Sequence, residues 1–250
     1  MLDSFLSNPS IIGLCALLAS IPVAIYMWVF LKEDPEPKRL VIKTFIAGCC
    51  SVIPLLAMQY FFAQYADYDI YSLIKTNIKH VGLMWIVFYL FVGFTEEYLK
   101  HLVVVFSDDK DKAFRRVVDG IELSIVAALG FSFVEHIFYF VTIYNRGGWE
   151  ELLVPFIFRS ILTTLAHASF SGIYGYYYGR SHFMRSAWHR ERSVLRGLIS
   201  AMLLHGIFNT LLEFNMVWAI TPLLFIESMF IFYELKLKKN QSIHQGRDED

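Results

Sequence analysis

Apolar residues dominate the chain in seven long runs, which are separated by short charged or proline-containing stretches. Each run reaches the roughly 20 residues that an α-helix needs to cross the hydrocarbon of a bilayer. The runs cover residues 9–31, 40–64, 81–106, 117–143, 153–179, 195–214 and 216–235. The pattern predicts an all-α polytopic membrane protein with about seven transmembrane helices. It forms a single transmembrane domain over residues 1–236, followed by a polar cytoplasmic tail, 237–250, whose composition predicts disorder.

Composition agrees with a membrane protein. Of the 250 residues, 56% are hydrophobic and only 18% are charged, and the mean hydropathy is +0.47, whereas a soluble domain carries about 25% charged residues. The first apolar run has no basic segment before it and is long, so it is interpreted as a transmembrane helix and not as a cleaved signal peptide. The net charge of −1 and the lack of a basic tract give no indication of a nucleic-acid partner.

The basic residues predict how the helices are oriented. Most of the 22 lysines and arginines fall after runs one, three, five and seven. Because cytoplasmic loops carry the excess of lysine and arginine, these four stretches are expected to face the cytoplasm. The N-terminus is therefore predicted outside and the C-terminus in the cytoplasm.

The third run contains three ionisable residues within five positions, Glu96, Glu97 and Lys100. One ionised group at the centre of a membrane helix costs roughly 2.5–3.5 kcal/mol or more, so this cluster needs an explanation. Lys100 is three residues from Glu97 and four from Glu96, so that on a helix it can meet either carboxylate. One amine cannot neutralise both carboxylates, and the cluster therefore indicates a functional site.

Other polar residues are predicted at similar depth on three further helices. Glu135 and the adjacent His136 lie in run four, His167 lies in run five, and His205 and Asn209 share one face in run six. Taken alone, His167 would more often be an interior histidine with satisfied hydrogen bonds. After His167 come Gly172 and the GxxxG pair Gly175 and Gly179, which favour close approach of a neighbouring helix. Together the polar residues are expected to converge on one buried chamber.

Three chemistries use such a set of side chains. A carboxylate and a histidine can deprotonate a water that attacks a carbonyl, with His205 and Asn209 donating to the oxyanion. Two histidines and a glutamate can bind zinc, which activates the water, although no HExxH motif is present. Carboxylates and histidines can also form a proton or cation pathway in a transporter.

The order of these motifs resembles the PrsW family of intramembrane proteases, within a wider superfamily that includes CAAX prenyl endopeptidases and bacteriocin-immunity proteins. The resemblance covers roughly residues 80–212. It rests on Glu96-Glu97-x-x-Lys100, Phe131-x-x-x-Glu135, His167 with its downstream glycines, and His205-Gly206-x-x-Asn209. It implies a prokaryotic cell-membrane endopeptidase that uses an activated water. Its implied substrates are single-pass membrane proteins, notably anti-sigma factors, cleaved in regulated intramembrane proteolysis.

The resemblance also implies roles for individual residues. Glu96 or Glu97 would activate the water while Lys100 holds the other carboxylate, and Glu135 would be a second polar anchor or base. His167 and His205 would position the water or the oxyanion, with Asn209 beside them. If the enzyme is metal-dependent, zinc would be held by a set drawn from Glu97, Glu135, His167 and His205.

The sequence departs from the family pattern at two positions and leaves several alternatives open. His136 stands where asparagine is frequent, and Asn209 stands where aspartate is also common. The residues do not decide between a glutamate-type and a metal-dependent mechanism. An ion-coupled membrane transporter, or a non-catalytic scaffold or immunity protein that keeps these residues, remains an alternative function.

Overall fold

The computed structural model describes residues 8–31, 37–57, 78–108 and 116–245, and within them the chain is helical with short turns and no strand. In chain order the helices are α1 (Pro9–Leu31), α2 (Lys38–Cys50), α3 (Ile78–Ser107), α4 (Val117–Phe158), a π-helix (Arg159–Thr163), α5 (Thr164–Ser181), α6 (Ala187–Glu213) and α7 (Val217–Gln245). A turn at Ser51 carries α2 on into helical residues 52–57.

Helix bounds agree best with the prediction at α1 and differ most near the C-terminus. The first run was predicted at 9–31 and α1 spans Pro9–Leu31. The α6 helix begins at Ala187, eight residues before the predicted start, so several of the basic residues lie on its first turns. The disorder predicted after residue 236 is wrong for most of that segment, because α7 continues to Gln245. Residues 58–64, the end of the second predicted run, lie outside the described residues.

The first half of α4 is the centre of the bundle. Every residue from 118 to 132 is buried, which is the position expected for a helix that is apolar on all sides. The start of α4 is fixed by Asp119, whose carboxylate accepts from the backbone N–H of Arg116 at 2.7 Å and from its guanidinium Nε at 2.8 Å. Helices α1, α2, α5 and α7 all pack against α4.

The chain reverses direction at Gly148, inside the segment assigned to α4. Gly148 has φ 69° and ψ −152°, a conformation that favours glycine because a Cβ would be strained there. Beyond it the chain runs back antiparallel to residues 117–147 of α4, so that the Phe140 and Phe156 rings meet edge to face with centroids 5.6 Å apart. The predicted gap between runs four and five, 144–152, is thus helical apart from this reversal.

Glycines allow close backbone contact where α5 crosses α4, as the GxxxG spacing predicted. A Cβ added at Gly175 would meet the carbonyl oxygen of Gly120, the Ser124 Oγ at 2.7 Å and the Ile121 Cα at 2.8 Å. Gly179 faces the backbone of Val117 in the same way. This contact brings α4 and α5 close together, nearer to the start of α4 than the polar residues that the two helices carry.

Replacing Gly175 by alanine is expected to lower the free energy of unfolding by about 1–3 kcal/mol, because backbone atoms of α4 have to shift to admit the methyl group. The matched control is Gly13→Ala in α1, where an added Cβ meets nothing within 4 Å and alanine is the better helix former. Thermal unfolding of both variants in one detergent measures the difference. Equal melting temperatures for Gly175→Ala and wild type would contradict this account of the crossing.

Within the described residues, four helical stretches are long and apolar enough to cross a membrane: Pro9–Leu31, Lys38–Ala57, Val117–Ser181 and Ala187–Glu213. The third of them contains the reversal at Gly148. The all-helical, multi-spanning fold class is therefore confirmed, whereas seven crossings and the orientation of the termini stay predictions.

Candidate active site

Six of the seven predicted site residues meet between α3, α4, α5 and α6. Helix α3 contributes three of them, and α4, α5 and α6 contribute one each. The six are Glu96, Glu97, Lys100, Glu135, His167 and His205. All are buried except Glu135, whose side chain is 26% exposed. Residues from four separate helices thus form one polar centre inside the bundle.

Glu97 is the carboxylate with the most hydrogen bonds in this centre. Its Oε1 accepts from the Lys100 Nζ at 2.7 Å and from the His205 Nδ1 at 2.8 Å, and its Oε2 accepts from the Ser171 Oγ at 3.1 Å. Lys100 therefore pairs with the glutamate three residues away and not with Glu96. Three donors from three helices hold the Glu97 carboxylate in one orientation.

Glu96 has the opposite environment. Its Oε2 is buried and has no hydrogen-bond partner, yet it lies 3.6 Å from the Nε2 of His205. Because the Nδ1–H of His205 donates to Glu97, the lone pair of Nε2 is directed to the side where Glu96 lies. A buried carboxylate oxygen with no donor is costly, so this oxygen is suited to bind something other than a protein donor.

His167 connects Lys100 to Glu135. The Lys100 Nζ donates to the His167 Nδ1 at 2.8 Å, and the His167 Nε2–H donates to the Glu135 Oε2 at 2.9 Å. The ring of His167 lies edge-on to that of His205, with centroids 5.1 Å apart. The two histidines therefore face the same small space from α5 and α6.

Donor atoms of Glu96, His167 and His205 lie within 4.8 Å of one another and are placed to hold a metal ion. Carboxylate oxygen and imidazole nitrogen are ordinary zinc ligands. The unsatisfied Oε2 of Glu96 and the available Nε2 of His205 fit that role, and one nitrogen of His167 would have to exchange its present partner for the ion. The geometry favours Glu96 in place of Glu97 and Glu135, which the sequence had put in the metal-binding set.

Asn209 and His136 do not join the centre. Asn209 lies one turn beyond His205 on α6 and makes no hydrogen bond to any described residue. His136 is fully buried, its Nε2 lies 3.4 Å from the Ser132 Oγ of its own helix, and its ring stacks on Phe140. His136 thus makes no hydrogen bond to the six residues of the centre, and the histidines that hydrogen-bond within it are those of α5 and α6.

Two residues of the centre were not predicted. Arg159 forms an ion pair with the Glu135 Oε1 at 2.7 Å, and Ser171 donates to Glu97. The signals were present in the sequence, since Arg159 is a charge inside an apolar run and Ser171 follows His167 by four residues on the same helical face. Neither is among the residues on which the resemblance rests, and their partners are distant in sequence.

A second cluster of polar residues lies between α3 and α5, toward the C-terminal ends of both helices. His101 hydrogen-bonds to the Tyr174 hydroxyl, and further along Asp108 accepts from the Tyr178 hydroxyl at 2.8 Å and from the His182 Nε2 at 2.9 Å. The hydrogen bond to Asp108 raises the pKa of His182 above its ordinary value. These residues lie at the end of the bundle opposite to Gly148.

Glu227 of α7 is also buried, with 5% of its surface exposed, and neither of its oxygens has a hydrogen-bond partner. It makes no hydrogen bond or ion pair with the six residues of the centre. The structure therefore places Glu227 outside the polar centre.

A helical membrane bundle with a buried centre of carboxylates, histidines and a lysine is the architecture of a membrane-embedded enzyme or carrier. Comparison with known proteins distinguishes the two. A family model described as PrsW family intramembrane metalloprotease matches residues 36–234. The chain therefore belongs to this family, as the motifs in the sequence predicted. No solved structure matches the chain.

Curated relatives agree over most of their length. Protease PrsW of Oceanobacillus iheyensis is 26% identical over 226 residues, which are 88% of this chain and 94% of the relative. Protease PrsW of Clostridioides difficile is 28% identical over 226 residues, 89% of this chain and 88% of the relative. Protease PrsW of Bacillus subtilis is 28% identical over 224 residues, 89% and 93% respectively. The chain is thus a multi-pass prokaryotic membrane protein of a protease family.

Proposed function

We propose that this protein is a metal-dependent intramembrane endopeptidase that cleaves single-pass membrane proteins of the anti-sigma-factor type in regulated intramembrane proteolysis. The observation that carries the metal-dependent form is the convergence of Glu96, His167 and His205, with a buried carboxylate oxygen that has no donor. The description of the family as metalloproteases supports the same form. Zinc is the expected ion, because two histidines and one carboxylate are the ligand set of several zinc hydrolases.

In this proposal Glu96, His167 and His205 hold the ion. Bound zinc supplies Lewis-acid chemistry, lowering the pKa of water and polarising a carbonyl. Glu97 is an orienting carboxylate: it accepts the Nδ1–H of His205 at 2.8 Å, which keeps the other nitrogen of that ring free for the ion. Such carboxylate–histidine pairs fix the tautomer and raise the basicity of a ligand.

Lys100 and Glu135 complete the proposed machinery. Lys100 keeps Glu97 ionised at a depth where an isolated carboxylate would be strongly disfavoured. Glu135 is the general base: it takes a proton from water at the lone pair of Oε2 that the His167 N–H does not occupy, and later returns it to the amine that leaves. The Glu135 side chain is 26% exposed, so the polar centre reaches the surface of the bundle at this residue. A substrate segment entering from the lipid would meet this carboxylate.

Membrane proteins are the substrates that suit this arrangement. The centre lies about two-thirds of the way along α3 and in the first half of α5. Large apolar side chains on the outward faces of α3 are exposed, among them Phe91, Phe94 and Tyr98. Such faces suit contact with lipid, and a substrate helix reaches them by diffusing in the bilayer. Single-pass proteins need no unpacking from partner helices before they enter.

The test compares membranes that contain wild type, Glu97→Gln or the control Glu191→Gln, which changes an exposed glutamate of α6. Mass spectrometry of new peptide termini measures cleavage. Termini in single-pass proteins are expected to disappear only with Glu97→Gln, while their uncut precursors accumulate. Unchanged termini at normal abundance of the variant would overturn the enzyme proposal in favour of a carrier or scaffold. Loss of termini from multi-pass proteins alone would overturn the substrate class.

A further inference from the structure

Arg159 stands at the point where the polar centre meets the surface of the bundle. It begins the π-helix that precedes α5, and its guanidinium lies 2.7 Å from the Glu135 Oε1. The guanidinium carbon also lies 4.0 Å from the centre of the Tyr139 ring. Tyr139 follows Glu135 by one helical turn, so a single face of α4 supplies both a carboxylate and an aromatic ring to the arginine. A charged and a cation–π contact together fix the guanidinium.

The ion pair is the end of a row of ionisable groups that reaches the interior. Starting from the ion pair, the row is Arg159, Glu135, His167, Lys100 and Glu97, and each member contacts the next at 2.7–2.9 Å. Glu135 holds one oxygen on Arg159 and the other on His167. Without the arginine this partly exposed carboxylate would be free to rotate toward water, and His167 would lose the acceptor that orients its ring.

The local backbone also places Arg159 relative to His167. The π-helix from Arg159 to Thr163 widens one turn, and such turns are frequent at functional sites. A carbonyl in this turn, that of Ile161, accepts from the Tyr26 hydroxyl of α1 at 2.9 Å, and the carbonyl of Arg159 accepts from the Thr164 Oγ1 at 3.1 Å. The widened turn is therefore held by side chains, with Arg159 on one side of it and His167 on the other.

We infer that Arg159 is a positioning residue of the active site: it holds Glu135, and through Glu135 it fixes the His167 ring for metal binding and catalysis. The inference rests on the proposed function. It assigns to Arg159 an effect on turnover and on metal affinity without contact with the substrate. Arg159 is outside every motif by which the sequence pointed to the site.

The experiment uses the full chain, purified in detergent, in the forms wild type, Arg159→Met, Arg159→Lys, Glu135→Gln and the double variant Arg159→Met/Glu135→Gln. The control is Arg146→Met, an exposed arginine near the same end of the bundle. Two quantities are measured: kcat and KM on a precursor identified by the termini analysis, and the dissociation constant of Co²⁺ alone, read from its visible absorption.

Arg159→Met is expected to lower kcat and weaken Co²⁺ binding by roughly 10–100-fold each, the usual effect of losing an outer partner of a metal-binding histidine. KM should stay within about threefold, Arg159→Lys should recover most of both losses, and Arg146→Met should match wild type. The double variant should be no worse than Glu135→Gln alone, because Arg159 acts through that carboxylate.

A different result would overturn the inference. If Arg159→Met lowers kcat and Co²⁺ affinity as much in the Glu135→Gln variant as in wild type, Arg159 acts elsewhere than through Glu135. A change confined to KM would make Arg159 a substrate contact. If Arg159→Met does not fold, as judged by its thermal transition, the cycle of Arg159→Gln with Glu135→Gln decides the question in the same way, because glutamine also removes the cation. Failure of the proposed function is distinguishable, since wild type would then cleave nothing while the Co²⁺ comparison still tests Arg159.

Discussion

Replacing Glu96 by glutamine is expected to abolish cleavage, with a loss of turnover on the order of 10³-fold, while leaving the fold as stable as wild type. The Oε2 of Glu96 has no hydrogen-bond partner although it is buried, so neutralising the side chain breaks no hydrogen bond of that oxygen. Removing an unpaired buried charge is neutral or stabilising. Loss of activity without loss of stability is the mark of a residue whose contacts are made to the ion or the substrate.

The measurements are turnover, melting temperature and bound metal of the purified protein. Bound metal should fall with Glu96→Gln, because glutamine offers a neutral oxygen in place of an anionic ligand. Glu227→Gln is a close control: Glu227 has 5% of its surface exposed against 6% for Glu96, and its oxygens also have no partner, but it lies outside the polar centre. It should keep activity and metal. Full activity and metal content in Glu96→Gln would transfer the proposed role to Glu97 or Glu135.

The fold class and most members of the polar centre could be predicted from the sequence, because both follow from the free-energy cost of placing a side chain in an unfavourable solvent. Ionisable residues deep in an apolar run are expensive, so their positions alone indicate a chamber, and six of the seven predicted residues do meet. Hydrophobic runs likewise indicated the helices, since their length is dictated by the bilayer. The GxxxG spacing indicated the crossing at Gly175 and Gly179 by the same kind of local argument.

Pairings inside the centre could not be predicted, because they depend on where other helices lie. Helical spacing allowed Lys100 to meet either glutamate. The choice of Glu97 follows from His205 and Ser171, which approach it from α6 and α5. The π-helix could not be predicted from the sequence either, since the turn that begins at Arg159 is held by a hydrogen bond from Tyr26 of the distant α1. The same reasoning explains Asn209, which shares a face with His205 in sequence yet reaches no partner in the centre.

Lys100→Met is expected to destabilise the protein strongly, by about 3–5 kcal/mol, and to remove activity with it. Lys100 is 1% exposed, lies 2.7 Å from the Glu97 Oε1 and 2.8 Å from the His167 Nδ1, and sits 4.6 Å from the centre of the Phe131 ring. Methionine fills a similar volume, so packing changes little. What remains is a buried Glu97 carboxylate without its cation, and this uncompensated charge is the source of the loss.

The double variant Lys100→Met/Glu97→Gln separates charge from packing. With neither charge left, it should recover part of the lost stability, because a buried pair replaced as a whole costs less than a pair broken on one side. Lys43→Met is the control: the Lys43 Nζ also lies near a phenylalanine ring, 4.9 Å from Phe106, and donates to the Phe106 carbonyl, and it forms no ion pair with a buried carboxylate of the described residues. It should lose only about 0.5–1 kcal/mol. Thermal unfolding in one detergent compares all four proteins.

If the double variant is less stable than Lys100→Met, the hydrogen bonds of Glu97 to His205 and Ser171 contribute more to stability than its buried charge costs. The carboxylate then stabilises the centre chiefly by tying α5 and α6 to α3, and Lys100 is needed mainly to keep it ionised for that purpose.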